Sequence, residues 1–349
     1  MNLDIVAWHP LGLLTLMQIK GIGPHATDRI VRQFQTLREV FEASGKVLER
    51  TVPAAARAAV KSPAEWQRAL DSARRTLDDA ETYGVTVLSA FEASYPEWLR
   101  ELPDRPPVLY VKGRLRPGRR YVATIGTREP SRFGEEVTQR IVSVLASKQW
   151  SIVSGLALGV DALSHRAALD AQAHTVAVLA NGLETVYPKK NSHLAQEILE
   201  SGGALISEQP FGAPAIPRNL VQRDRIQSGM SAGTVVMQTD IVGGSMHTVR
   251  FTLRQHRLLF APVPGGEHAK EPKSQGTLAL ATVDGRELSK KLRADGDYLA
   301  MLTTVFARRP VAHGLASRDD YQKLLELLDA KANGSTSEPT ANNAQLGLF

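Results

Sequence analysis

Residues 121–134 read YVATIGTREPSRFG: a short, mostly apolar run that stops at Gly126, a polar turn, and a second glycine, Gly134, where a helical segment begins. Strand, tight turn and helix in this order form the first half of a crossover unit. The rhythm repeats downstream, with strand-like runs in SIVSG (151–155), TVAVLA (175–180), ALISE (204–208), TVVMQT (234–239) and RLLFAPV (257–263), and helices expected to start near Gly134, Gly159, Asn191, Val221 and Gly244. Such alternation predicts an α/β fold, a parallel sheet with helices on both faces, whose ligands bind at the carboxyl ends of the strands.

Upstream, residues 1–80 read as a small helical domain. In LGLLTLMQIKGIGPHATDRIVRQF (11–34), apolar residues recur at helical spacing on both sides of Gly21 and Gly23, and Pro24 suits the first position of a new helix. The pattern is helix, glycine hairpin, helix; it fits either a turn that holds a nucleic-acid phosphate or one that only packs two helices. Residues 81–118, with Pro96, Pro103, Pro106 and Pro107, are expected to form an extended connector leading into a strand at Val108–Val111. The alternating region occupies 119–266. After it comes a diverged segment, 267–330, with helix-like stretches around 296–306 and 318–330, and a flexible tail, 331–349, is expected to close the chain.

The 349 residues are 43% hydrophobic, enough for a sizeable core, and hold no cysteine, which excludes a disulfide scaffold, thiolate metal ligands and a cysteine nucleophile. No apolar run is long enough to span a bilayer and the N-terminus lacks a secretory layout, so a cytoplasmic protein without membrane association is expected. The formal charge of +6 is compatible with a polyanionic partner without requiring one.

Several turns at the expected strand ends carry residues suited to anions. After the first strand come Gly126, Thr127, Arg128 and Ser131, then Gly134 at a helix start. After the second come Gly155 and Gly159, with Asp161 and His165 one turn apart; these fit an acid–base pair, or an Asp cap beside a half-buried His, and no third ligand makes them a metal site. The third strand leads to Tyr187, a face for stacking a base, and to Lys189, Lys190 and Asn191. Arg218, Arg223 and Arg225 follow within eight residues, readable as a phosphate clamp or as a local ion-pair network around Asp224. Gly243, Gly244 and Ser245 open one more helix, and Phe133 is a second candidate for base stacking.

Taken in order, KGIGP, YPEWLRELPDRPPVLYVKG, GTREPSRFG, SGLALGVDALSH, GLETVYPKKN, RDRIQSG, GGSMHT and LLFAPVPG resemble the DNA-processing protein A family, also called Smf, from about residue 12 to 266. The resemblance implies a Rossmann-like domain, preceded by a helix-hairpin-helix or SAM-like domain, that binds single-stranded DNA, forms a homodimer and loads the RecA recombinase, with no enzymatic activity and no cofactor. It places Gly126, Thr127, Arg128 and Gly134 in the family's phosphate loop, Lys189, Lys190 and Asn191 in its Tyr-Pro loop, and Arg223 and Arg225 in its Arg-Asn-Arg element. This chain departs from the pattern at Asp224, where the family has Asn, at Gln238, where it usually has Glu, and after Val263. A second function fits the same loops: a nucleotide-binding sensor, an antitoxin-like or phage-defence component, or a phosphoribohydrolase-like enzyme.

The tail ends in Gln345, Leu346, Gly347, Leu348 and Phe349 after a run of small polar residues. This QLGLF resembles the motif with which bacterial replication and repair proteins bind the DNA polymerase sliding clamp. Gln345 would make the polar contact, Leu346 the first anchor, and Leu348 with Phe349 would fill the clamp's pocket.

Overall fold

The computed structural model describes residues 2–334, and the QLGLF motif lies outside them. The strands β1 (Val85–Ser89), β2 (Val108–Gly113), β3 (Tyr121–Ile125), β4 (Ser151–Ser154), β5 (Thr175–Val178), β6 (Ala204–Ser207), β7 (Gly233–Val236), β8 (Leu258–Pro262) and β9 (His313–Leu315) form one sheet in the order β1-β2-β6-β5-β4-β3-β7-β8-β9. The pairs from β6 across to β9 are parallel, whereas β2 is antiparallel to both β1 and β6. All five residues of β3 and all four of β4, β5, β6 and β7 are buried, as expected where helices cover both faces of a parallel sheet.

From β3 the chain steps outward through β4, β5 and β6, then returns to place β7 on the opposite side of β3. The register sets Ile125 against Val236, so β3 and β7 end side by side. This is the topological switch point, where the connecting loops diverge and leave a crevice.

All six strands expected between 121 and 263 are present, and the helix starts fall close to their expected positions with one exception. The fourth crossover helix begins at Pro217 rather than near Val221, because the proline ring supplies helical φ at the first position. Residues 81–118, read as a connector, hold the expected strand β2 and also β1, which pairs with it along its whole length. The segment is thereby an edge of the sheet. Residues 267–330 carry the helices Gln275–Thr282 and Gly285–Leu292 in addition to those expected, and β9, which pairs with β8. Leu280, Leu288 and Leu302 from this segment pack with Val249 and Leu259 in one buried cluster.

At the N-terminus, helices Pro10–Gln18 and Pro24–Gln33 flank the glycine turn, where Gly21 has φ +87°, open to glycine at little cost. Trp66, on the 20-residue helix Pro63–Thr82, is fully buried and donates from Nε1 to Val60 O at 2.7 Å. Its cluster continues through Val87 and Tyr110 to Leu205, so the helical part and the sheet share apolar packing. Among the described residues no helix is long and apolar enough to cross a membrane.

Candidate functional site

A cleft of about 670 Å³ opens at the switch point. Three turns build it: Gly126–Glu129 after β3, Ala157 and Asp161 after β4, and Thr239–Ser245 after β7. The helix Pro217–Gly229 forms one wall. Gly126 is required here, because a Cβ would lie 2.6 Å from Val160 and 2.8 Å from Gln238 O. The turns are pinned together: the Thr127 amide donates to Gln238 O at 2.8 Å, and the Val160 amide donates to Thr127 O at 3.1 Å.

Of the residues expected to bind, Gly126, Thr127, Arg128, Arg223, Gly244 and Ser245 line this cleft. Arg128 is exposed at its mouth, and the helix Ser245–Arg254 points its N-terminus into it, with Gly244 as the cap residue. Lys273 joins them from the far end of the chain, donating to the Glu129 carbonyl at 2.6 Å and to its carboxylate at 3.1 Å. Arg128 and Lys273 thus bring positive charge to a mouth that also holds the carboxylates of Glu129 and Asp240, and the start of the helix Ser245–Arg254 lies in the same lining.

The other expected residues lie elsewhere. Ser131 is engaged by Gln238 and Glu271, its amide donating to Gln238 Oε1 at 2.9 Å and its hydroxyl to Glu271 at 2.5 Å. Gly134 sits against the same Gln238, where a Cβ would fall 2.3 Å from Oε1. Phe133 stacks on His268, with ring centroids 5.4 Å apart. Gly159 has φ +75° and makes room for the backbone of Arg128. Asn191 is buried and donates to Leu156 O at 2.8 Å, tying down the loop after β4. Tyr187, Lys189, Lys190 and Arg218 are exposed and outside the cleft.

The Arg-Asp-Arg triplet is turned inward. Arg223 is 6% exposed and donates from Nη1 to Gly155 O at 2.6 Å and Val178 O at 2.5 Å, clasping the ends of β4 and β5. Gly155 must be glycine to admit it, since a Cβ would lie 2.0 Å from that nitrogen. Arg225 is also buried, paired with Glu208 and more distantly with Asp104. Of the expected network around Asp224, only the Arg223 pair is present; Arg225 is drawn away to Glu208 and Asp104.

Asp224 faces the cleft, with its Oδ1 3.2 Å from Arg223 Nε and accepting from Gln227 Nε2 at 3.0 Å. Burial pushes its pKa up to about 6, despite the opposing pull of Arg223. Asp161 is pushed up for the same reason; it accepts from the Gly155 and Ala157 amides at 3.1 and 3.3 Å. His165 does not pair with it. This His is fully buried, bonded through Nδ1 to the Thr175 hydroxyl at 2.7 Å, and burial lowers its pKa to about 3. Gln238 donates to Ser131, Glu271 and Ser274 at 2.8, 3.1 and 3.0 Å, a structural tie between the first turn and the C-terminal segment. The glycine turn at the N-terminus already presents a carboxylate, because Glu65 accepts from the Lys20 amide at 3.0 Å.

Sequence reading missed Lys273, His247, Thr248, Asp240 and the wall residues Leu220, Val221 and Gln227. The wall was open to discovery, since 217, 220, 221, 224 and 227 recur at helical spacing. Lys273 carries no such signal, as its place depends on a contact across 144 residues.

A doubly wound α/β sheet with a cleft at its switch point defines a Rossmann-like protein. More narrowly, the family described as DNA recombination-mediator protein A matches residues 86–291, and the chain belongs to it. It is 36% identical over 211 residues to protein Smf of Escherichia coli, covering 59% of this chain and 56% of that one. It is likewise 36% identical over 185 residues to the DNA processing protein DprA of Bacillus subtilis, covering 52% and 61%. The chain spans about three fifths of the length of these relatives. The X-ray structure of DNA processing protein A from Streptococcus pneumoniae has the same fold, with a TM-score of 0.62 at 22% identity over 90% of this chain and 96% of that one. A structure of the Helicobacter pylori protein, described by its single-stranded DNA binding mode, superposes with a TM-score of 0.53 at 26% identity over 69% and 96%.

Proposed function

We propose that this protein binds single-stranded DNA without cleaving it and acts as a recombination mediator that delivers the strand to RecA. The observation that carries the reading is the convergence of Arg128, Lys273 and the Ser245–Arg254 helix start on one cleft in a chain of this family. Positive side chains and helix-start amides hold phosphates irrespective of sequence, which suits a mediator that must engage any strand. A binding role is favoured over catalysis by Gln238, a neutral side chain at a strand end whose Nε2 is held among Ser131, Glu271 and Ser274. The exposed Tyr187, Lys189, Lys190 and Arg218 supply further contacts for a strand that runs beyond the cleft.

Two partners complete the reading. A homodimer would extend the DNA-binding surface, and the terminal Gln345, Leu346, Leu348 and Phe349 would hook the protein to the sliding clamp. Removing residues 345–349 should abolish clamp binding while leaving DNA affinity unchanged; unchanged clamp affinity would end that part of the proposal.

Fluorescence anisotropy with a labelled oligonucleotide, repeated across a salt series, tests the main claim. Affinity should fall steeply with salt, and Arg128→Ala should weaken binding to all sequences while lowering the log–log salt slope by about one. Absence of binding at low salt would overturn it.

A further inference from the structure

The helix Pro217–Gly229 presents Pro217, Leu220, Val221, Asp224 and Gln227 along one face, all lining the cleft. Its outer part is apolar, with Val221 36% exposed and Ile216 44% exposed beside it. Across the mouth, in the turn that supplies Thr239, Asp240 and Gly243 to the lining, Val242 is 82% exposed. Deeper along the same face the character changes to hydrogen-bond acceptors. Gln227 is 2% exposed, its amide nitrogen is committed to Asp224, and its Oε1 is buried without a hydrogen-bond partner. A buried acceptor left open in this way costs free energy unless a donor reaches it.

An apolar rim above an acceptor-lined wall matches one nucleotide unit: a flat apolar face to lie against Leu220 and Val221, and an edge of N–H donors to meet Asp224 and Gln227. The phosphate of the same unit would then sit toward Arg128, Lys273 and the Ser245 helix start. Donor-rich edges differ among the bases. Guanine offers N1–H and N2–H side by side, one for the Asp224 carboxylate and one for the open Gln227 Oε1, whereas thymine offers a single N–H flanked by two carbonyls that a carboxylate repels.

We infer that Asp224 and Gln227 form a base-reading subsite that prefers guanine over thymine, so that the protein is selective at one position of the strand it holds. This rests on the single-strand binding proposed above. The wall residues are specificity-determining and act alongside the phosphate contacts.

The test uses the full-length protein and three labelled 12-nucleotide strands: all thymine, and the same strand with one or two central guanines. The guanine strands should bind about tenfold more tightly, within the range of one bidentate base contact. In Asp224→Asn and, separately, in Gln227→Leu, the guanine-to-thymine ratio should fall to within twofold. Equal affinity of the wild type for all three strands overturns the subsite and leaves strand binding standing, as does a ratio that survives both substitutions. If no strand binds, but deoxyguanosine monophosphate raises Tm more than thymidine monophosphate does, the pocket stands and the strand reading falls. If neither strands nor monophosphates bind, both fall.

Discussion

Asp224→Asn should stabilise this protein, and by an amount that depends on pH. The native carboxyl has its pKa raised from 3.8 to about 6, chiefly by burial, with only 15% of the side chain exposed. Folding therefore favours the protonated form. Between pH 3.8 and 6 the folded state holds more protons than the unfolded one, so this group's contribution to stability falls as pH rises through that window and reaches its full penalty above pH 6. A shift of roughly two units corresponds to about 3 kcal/mol at pH 7.5 and about 1 kcal/mol at pH 4.5. Asparagine keeps an acceptor for Gln227 Nε2, Arg223 retains the Gly155 and Val178 carbonyls, and Arg223 Nε is already without a hydrogen-bond partner in the native protein. The attraction of Arg223 is already counted in that shift, so the net stabilisation should be at most about 3 kcal/mol at pH 7.5. Urea denaturation followed by circular dichroism, on both proteins at both pH values, reads the difference directly. A variant less stable than wild type at pH 7.5, or a difference that does not grow between pH 4.5 and 7.5, would show that the buried Asp224 carboxylate does not destabilise the fold.

Other perturbations have defined outcomes. Gly155→Ala puts a methyl group 2.0 Å from Arg223 Nη1, which is bonded to the Gly155 and Val178 carbonyls, and should cost about 3 kcal/mol or more in denaturant unfolding while weakening DNA binding. His165 is neutral in the fold down to about pH 3, so its contribution to stability should fall as pH drops below 6.5, where the unfolded chain takes up the proton, opposite in sign to that of Asp224; His165→Leu should reduce proton uptake on unfolding by close to one proton. Trp98 lies between the guanidinium groups of Arg257 and Arg119, 4.3 and 4.4 Å from its ring centroid. Trp98→Ala should lower stability by about 3–5 kcal/mol, and Trp98→Leu should recover part of it without restoring the cation contacts, as thermal melts would report.

The alternation of strands and helices from 121 to 263 was legible in the sequence, because period and turn chemistry are local properties that a short window contains. The same applies to the glycine-bounded turn after β3 and to Arg128, which the structure leaves exposed at the cleft. Other features needed long-range contact to become visible. β9 is only three residues long and β1 stands at the head of a proline-rich stretch that reads as a connector, and they become strands because β2 and β8 offer edges for pairing. The role of each arginine is the sharpest example. Arg128, Arg218, Arg223 and Arg225 carry the same charge in the sequence, yet two stand in solvent and two are buried against carbonyls and carboxylates.

By itself, then, the sequence determined the α/β class, the six central strands, the family and the loop that opens the cleft, since each depends on residues close together in the chain. Tertiary structure alone decided the order of strands that creates the switch point, the inward turn of Arg223 and Arg225, the face of the Pro217–Gly229 helix that meets the cleft, and the arrival of Lys273 beside Glu129. Those outcomes depend on which distant surfaces exclude water from one another, and burial of that kind is a property of the assembled chain.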